Sequence, residues 1–254
     1  MSDAFMIRRQ GAIQGYRYAV ATLRTAQKTT KGAPAYSRYI NRPLGRPLAA
    51  LAYVLKMTPN QVTAVSAIFT FMGLLIVAVS PPHVLSSVAA MLLLVTGYAL
   101  DSADGQLARL GGGGSFAGEW LDHVVDAFKA NLLHITVLLC WWQYYDLGAA
   151  WYFVPLCYTV ASSVFFFSVI LTDQLRRQAR GTTSMFLQGE GHSSLLYSLA
   201  VMPTDYGLMI VVFGLIWWMQ GFLFVYSALL VANILFLGMA LPKWFREVRA
   251  LAQS

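Results

Sequence analysis

Long runs of apolar residues, separated by short polar turns, dominate the chain from residue 61 onward. The run 61–80 contains no charged residue, and as a helix it would measure about 30 Å, which matches the hydrocarbon core of a bilayer. The pattern predicts six transmembrane helices, at residues 61–80, 84–100, 116–142, 149–175, 195–219 and 221–241. Pro203, Thr204 and Asp205 interrupt the fifth run, so the start of that span is the least defined.

The first 56 residues follow a different pattern, because they hold ten of the 18 Lys and Arg residues and no long apolar run. They lack the apolar core of a signal peptide, so we expect no cleavage. Between Tyr36 and Tyr53, apolar residues alternate with arginines, which predicts an amphipathic helix in the headgroup plane. A disordered basic tail is an equal alternative for residues 1–30. We therefore divide the chain into a basic segment, 1–56, and a membrane domain, 57–254.

Composition and charge support a membrane protein. Hydrophobic residues make up 57% of the chain and charged residues only 11%, against about 25% charged in an average globular protein. The turns at 80–83, 143–148 and 220 contain no Lys or Arg, whereas the opposite helix ends are basic. By the positive-inside rule, both termini lie in the cytoplasm. We expect an all-α protein of the cytoplasmic membrane, and no nucleic-acid partner despite the net charge of +7, since no soluble domain remains.

Five of the 11 acidic residues fall within 26 positions, at the inner ends of the second and third spans. They are Asp101, Asp104, Glu119, Asp122 and Asp126. Helical spacing puts Asp101 and Asp104 on one face and Asp122 and Asp126 on another, and a turn through four glycines would bring the pairs together. Four such carboxylates would repel one another unless cations neutralised them. Because carboxylate oxygens select hard cations, we expect Mg²⁺ or Mn²⁺ and a phosphate-bearing substrate on the cytoplasmic side.

The same stretch resembles the signature of the CDP-alcohol phosphotransferase family, D-x2-D-G-x2-A-R-x8-G-x3-D-x3-D. All eight fixed positions are occupied: Asp101, Asp104, Gly105, Ala108, Arg109, Gly118, Asp122 and Asp126. Thr58, Pro59 and Asn60 also resemble the short family motif before the first span. The resemblance implies six transmembrane helices, a homodimer, a CDP-linked donor and release of CMP after attack by an acceptor hydroxyl.

The resemblance also implies a role for each residue. Asp101, Asp104, Asp122 and Asp126 would hold two Mg²⁺ or Mn²⁺ ions, and Asp126 would also take the proton of the acceptor hydroxyl. The CDP group would be bound by Asn60, Asp104, Gly105, Ala108, Arg109, Gly118 and Asp122. The implied donor is CDP-diacylglycerol, and the implied acceptor is an alcohol.

Several questions stay open at the level of sequence. Asp122, His123 and Asp126 resemble the D-H-x-x-D of choline and ethanolamine phosphotransferases, in which a CDP-headgroup is the donor and a lipid alcohol the acceptor. Arg176, Arg177 and Arg180 would bind an acceptor phosphate, or they are ordinary positive-inside residues. Lys129 would pair with Asp126 near the chemistry, or form a structural ion pair. A cation transporter is the alternative to an enzyme, because intramembrane carboxylates also mark ion pathways.

Overall fold

The computed structural model describes residues 11–25, 34–181, 198 and 201–251, and no strand occurs among them. The expected all-α membrane fold is thus confirmed. The helices are α1 (Ala12–Thr25), α2 (Arg42–Val54), α3 (Pro59–Val79), α4 (Val84–Leu110), α5 (Phe116–Tyr144), α6 (Phe153–Arg180), α7 (Tyr206–Val212) and α8 (Met219–Leu251). A π-helical turn, Ser37–Asn41, leads into α2, and 3-10 turns at Ala149–Tyr152, Met202–Thr204 and Phe213–Leu215 flank α6 and α7.

Local capping sequences fix where the helices near the polar cluster begin. Before α3, the Thr58 hydroxyl accepts from the Gln61 amide at 3.3 Å, and the Gln61 side chain accepts from the Thr58 amide at 2.9 Å. Pro59 occupies the first turn, where its missing N–H costs nothing. At α5, the Ser115 hydroxyl accepts from the Gly118 amide at 3.0 Å. These caps hold Asn60 and Gly118 at fixed positions at the end of the bundle that carries the polar cluster.

Small residues let α3 and α4 approach closely along their length. A Cβ on Gly97 would lie 2.3 Å from Thr70 Oγ1, and one on Gly73 would lie 3.0 Å from the Ala90 carbonyl oxygen. Ser66 Oγ donates to the Gly97 carbonyl at 2.9 Å, which is typical of polar contacts between membrane helices. Helix α3 also packs against α5, whereas α4 and α5 make little direct backbone contact in the described chain. A gap therefore remains between α4 and α5 where their acidic residues face.

Two buried clusters hold the bundle together. The larger one is aromatic and lies near the turn between α5 and α6, with Trp141, Phe213, Phe222 and Tyr226 fully buried. The smaller one joins α1 and α2 to the inner end of α4 through Leu23, Tyr53 and Leu107. Residues 12–25 therefore form a packed helix rather than the disordered tail considered from sequence. Pairing with α2, which buries Ala19 and Leu23 completely, supplies the apolar contact that this basic segment needs.

Five helices of the described chain are long and apolar enough to cross a membrane. The predicted fifth span, residues 195–219, lies partly outside the described residues, and its described part is broken before α7 as the sequence indicated. The count of six spans thus remains a prediction. Helix α8 continues past Pro242, where the last span was predicted to end, as far as Leu251. A proline removes one helical hydrogen bond and often bends a helix, but it need not end one.

Candidate active site

Three carboxylates of the acidic cluster meet between α4 and α5. One oxygen each from Asp101, Asp122 and Asp126 can be chosen so that all three lie within 4.8 Å of one another, and all three side chains are half-buried. The turn that joins the two helices contains Gly112 and Gly113 with φ of 96° and 135°, conformations that favour glycine. This turn returns the chain so that Asp122 and Asp126 face Asp101. We call Asp101, Asp122 and Asp126 the acidic triad.

Asp104 lies next to the acidic triad but has a different environment. It is only 7% exposed, and its Oδ2 accepts a hydrogen bond of 2.6 Å from Thr63 Oγ1 on α3. It follows Asp101 by three positions on α4, so the two carboxylates lie on one face of the helix. The sequence predicted that all four carboxylates converge, with Asp126 also acting as the base. The structure instead brings three together and fixes the fourth to α3 by one oxygen, because Asp104 faces α3 one turn beyond Asp101.

Lys129 joins the two sides of the acidic triad. Its ammonium contacts the carboxylate of Asp101, lies 3.1 Å from Asp126 Oδ1 and donates to Ser66 Oγ at 3.3 Å. The side chain is buried, with the residue only 4% exposed. Sequence spacing indicated the Asp126 contact, since the two residues are three positions apart on one helix. It could not indicate the Asp101 contact, which depends on how α3 sets α4 against α5.

The donor set fits a divalent cation. Three carboxylates face one ammonium, so the group has an excess of negative charge in a half-buried place. All the candidate ligands are carboxylate oxygens, and the described cluster includes no histidine or cysteine. Such oxygens favour Mg²⁺ or Mn²⁺ over softer metals. Asp101, Asp122 and Asp126 are therefore the residues that could hold a metal ion.

Two contacts link residues that are expected to bind CDP, one between Gly118 and Asn60 and one between Gly105 and Arg109. A Cβ on Gly118 would lie 3.0 Å from Asn60 Oδ1, so α5 and the start of α3 are in contact there. A Cβ on Gly105 would meet only Arg109 Nη1, at 3.7 Å, so protein packing does not require a glycine at that position. The open side of Gly105 is space into which a ligand could fit. Ala108 follows on the same side of α4, one turn farther along.

Arg42 is a candidate that the sequence did not single out. Its backbone carbonyl accepts a hydrogen bond of 3.0 Å from Gln106 Nε2, which fixes the start of α2 to α4. Its guanidinium is close enough to Arg109 and Arg38 for their charges to interact. Burial lowers the pKa of Arg42 from its ordinary value, and Arg38 adds to this effect. Arginines whose charges interact are suited to an anion such as a pyrophosphate. The only signal in the sequence was an arginine at the start of a basic helix.

The arginines at the inner end of α6 make ion pairs with neighbouring helices. Arg176 binds Glu247 of α8 with two hydrogen bonds, of 2.7 and 2.6 Å. Arg177 contacts Glu119 of α5 and lies 3.1 Å from Asp173. Arg180 is exposed at the end of the helix. Glu119 also lies 3.7 Å from His123, so this fifth acidic residue belongs to the arginine network and not to the acidic triad.

A cavity of about 350 Å³ adjoins the acidic triad, and residues of α3 to α8 and of the turn before α7 line it. Asp101, Asp126 and Lys129 form one end of it. The other end is aromatic: His134 stacks on Tyr158 with ring centroids 3.9 Å apart, and its Nδ1 lies 2.8 Å from Tyr226 Oη. The sequence suggested no partner for His134.

Most of the chain matches one family of known proteins. Residues 56–241 match the family model described as CDP-alcohol phosphatidyltransferase. The chain belongs to this family. A phosphatidylinositol phosphate synthase from Corynebacterium glutamicum is 35% identical over 103 residues, which are 41% of this chain and 44% of that protein. The aligned part thus spans less than half of the relative.

Family membership confirms the resemblance seen in the sequence. It identifies the chain as a phosphotransferase of the CDP-alcohol phosphatidyltransferase type, and so as an enzyme rather than a cation transporter. Members of the family use CDP-linked donors and alcohol acceptors in the membrane and generally depend on a divalent metal. The acidic triad lies within the matched residues, on two of the long apolar helices. Its position and chemistry are consistent with that requirement.

Proposed function

We propose that this enzyme transfers a phosphatidyl group from CDP-diacylglycerol to an acceptor hydroxyl in phospholipid biosynthesis. The observation that carries the proposal is the approach of three carboxylate oxygens to within 4.8 Å, on the same two helices as a glycine with open space. The acceptor oxygen attacks the phosphorus distal to cytidine, the bond from that phosphorus to the CMP phosphate breaks, and CMP leaves. The active site and both termini lie on the cytoplasmic side in this proposal.

Each part of the site has a separate task. Asp126 takes the proton of the acceptor hydroxyl, because Lys129 contacts only its Oδ1 and leaves Oδ2 for that role. Asp101, Asp104, Asp122 and Asp126 hold two Mg²⁺ or Mn²⁺ ions, which when bound neutralise the charge of the pyrophosphate and of the leaving phosphate. Asp104 contributes through the oxygen that Thr63 does not hold. The cytidine and its phosphate lie against Asn60, Asp104, Gly105, Ala108, Arg109, Gly118 and Asp122.

The acceptor is the less defined partner. A relative named for making phosphatidylinositol phosphate puts inositol phosphate first among the acceptors to test. The phosphate of such an acceptor would meet Arg176, Arg177 and Arg180, in competition with Glu247 and Glu119, which already contact the first two. The enzyme is also proposed to act as a homodimer, as the family resemblance implies.

The cavity supports a second candidate reaction. It lies between membrane helices, and aromatic rings form its deeper end, so a lipid alcohol would fit beside Asp126. The D-H-x-x-D sequence around His123 points in the same direction. In this candidate the CDP-headgroup is the donor and diacylglycerol the acceptor.

A product screen distinguishes these reactions. Purified protein with Mg²⁺ is given CDP-diacylglycerol and, one at a time, inositol phosphate, glycerol phosphate, inositol or serine, and products are identified by mass spectrometry. Parallel reactions contain CDP-choline or CDP-ethanolamine with diacylglycerol. A phosphatidyl product formed together with CMP supports the first reaction. A headgroup lipid made only in the parallel reactions replaces it with the second.

A further inference from the structure

The cavity beside Asp126 is bordered by a buried hydroxyl group that has no hydrogen-bond partner in the described protein. Tyr206, the first residue of α7, lines the cavity, and its hydroxyl oxygen is buried without a hydrogen-bond partner among the described residues. In the preceding residue, Asp205, each carboxylate oxygen has a partner, because they accept hydrogen bonds from the amides of Ser37 at 2.9 Å and Gly207 at 2.8 Å. A buried hydroxyl without a partner is costly, so its presence next to a cavity indicates a ligand that completes it.

The Tyr206 ring is held firmly in place. It packs edge-on against Tyr98, with centroids 5.1 Å apart, and Tyr98 stacks on Tyr36 at 6.2 Å. Tyr36 in turn fills the space beside Gly207, where a Cβ would lie 1.9 Å from a ring carbon. The hydroxyl is close enough to Lys129, Asp126 and Asp101 to interact with their charges. It is therefore a preorganised group beside the acidic triad and not a mobile side chain.

The side of the acidic triad on which Tyr206 lies points to one substrate. In a phosphoryl transfer, the attacking and leaving oxygens lie roughly in line on opposite sides of the phosphorus. The residues proposed for CDP, such as Gly105, Arg109 and Gly118, do not line the cavity, whereas Asp126 does. The leaving CMP thus belongs to one side of the acidic triad, and the attacking alcohol to the cavity. We propose that the Tyr206 hydroxyl hydrogen-bonds to the alcohol acceptor bound in this cavity, an inference that rests on the proposed function.

Steady-state kinetics of Tyr206→Phe test the proposal. The acceptor is the member of the product screen that the wild type converts, varied at saturating CDP-diacylglycerol, or at the saturating CDP-headgroup if the second reaction holds. We expect the KM for the acceptor to rise about tenfold, since one hydrogen bond is lost, while the KM for the CDP donor stays unchanged. The thermal midpoint of the substrate-free protein should not fall, because the hydroxyl has no protein partner to lose.

Tyr145→Phe is the matched control, since Tyr145 Oη donates to the Ile216 carbonyl at 3.0 Å, outside the cavity. This variant should lower the thermal midpoint and leave both KM values unchanged. An unchanged acceptor KM in Tyr206→Phe, a rise in the donor KM alone, or a loss of folding would overturn the proposal for Tyr206. Those results leave the proposed function intact. Absence of CMP from the wild type with every donor and acceptor would instead remove the proposed function and this inference together.

Discussion

Asp126 contacts Lys129, belongs to the acidic triad and borders the cavity. The sequence predicted its place in the acidic cluster, because Asp126 follows Asp122 by four positions and so lies on the same helix face. The same holds for Asp101. Asp104 shows the limit of this reasoning, since its hydrogen bond to Thr63 joins residues 41 positions apart and depends on the packing of α3 against α4. Tyr206 and Arg42 were not predicted because they reach the site only through the tertiary fold.

The Asp126→Asn variant tests the role of the base at this scale. An amide cannot take the acceptor proton, so kcat should fall by about 10²- to 10⁴-fold while the CDP donor still binds. The measurements are CMP release and donor binding by the purified variant. Asp146→Asn, at an exposed outer turn, is the control and should retain wild-type kinetics. A normal rate in Asp126→Asn would show that another group accepts the proton.

At the level of whole helices, the helix ends and the contacts between helices determine how the site is assembled. The caps at Thr58 and Ser115 emerged only from the structure, whereas the break before α7 at Asp205 was visible in the sequence. The continuation of α8 past Pro242 was not, because a proline reports a local preference and not the packing that maintains a helix. The pairing of Arg176 with Glu247 likewise requires that α6 and α8 lie side by side, which apolar periodicity alone does not predict.

The Arg176–Glu247 pair gives a prediction about α6 and α8. Both side chains are mostly buried, at 11% and 29% exposure, so Arg176→Gln and Glu247→Gln should each destabilise the protein by about 1–3 kcal/mol. The double variant should lose little more than either single one. Thermal unfolding in detergent measures this coupling. If Arg176→Gln instead leaves stability unchanged and raises only the KM for inositol phosphate, Arg176 binds the acceptor phosphate and the pair is not structural.

Contact between α3 and α4 at Gly97 gives a second prediction for an element. Gly97→Ala would place a Cβ 2.3 Å from Thr70 Oγ1 and 3.1 Å from the Ser66 carbonyl oxygen, forcing the helices apart. We expect a loss of about 1–3 kcal/mol in unfolding free energy. Gly238→Ala in α8, where nothing lies within 4 Å of the added methyl group, is the control and should be neutral or slightly stabilising. Equal stability of both variants would contradict the close approach of α3 and α4.

For the whole molecule, the sequence predicted the all-α membrane class well, because uncharged apolar runs of membrane length are rare in soluble proteins. The division of the chain into residues 1–56 and 57–254 stays a prediction. The structure adds that α1 and α2 share a buried cluster with α4. Orientation in the bilayer also stays a prediction, drawn from the placement of Lys and Arg.

Side-specific cysteine labelling tests this orientation. In a Cys140→Ala, Cys157→Ala background, which removes both free cysteines, Gly114→Cys should react only with reagent on the cytoplasmic side. Asp146→Cys should react only from outside, because its turn joins the opposite ends of α5 and α6. Labelling of intact cells and of inverted vesicles with an impermeant maleimide measures both. Reaction of the two positions from the same side would contradict the proposed topology.

The most direct test of the proposed chemistry is the metal dependence of CMP release. Purified enzyme with CDP-diacylglycerol and an acceptor from the product screen, or with the CDP-headgroup donor and diacylglycerol, is assayed after chelation and again as Mg²⁺ or Mn²⁺ is returned. We predict that CMP release stops on chelation, recovers with either ion, and stays absent at any metal concentration in Asp101→Asn. CMP release that is indifferent to chelation, or an Asp101→Asn variant with a wild-type metal response, would contradict a role for the acidic triad in holding the ions.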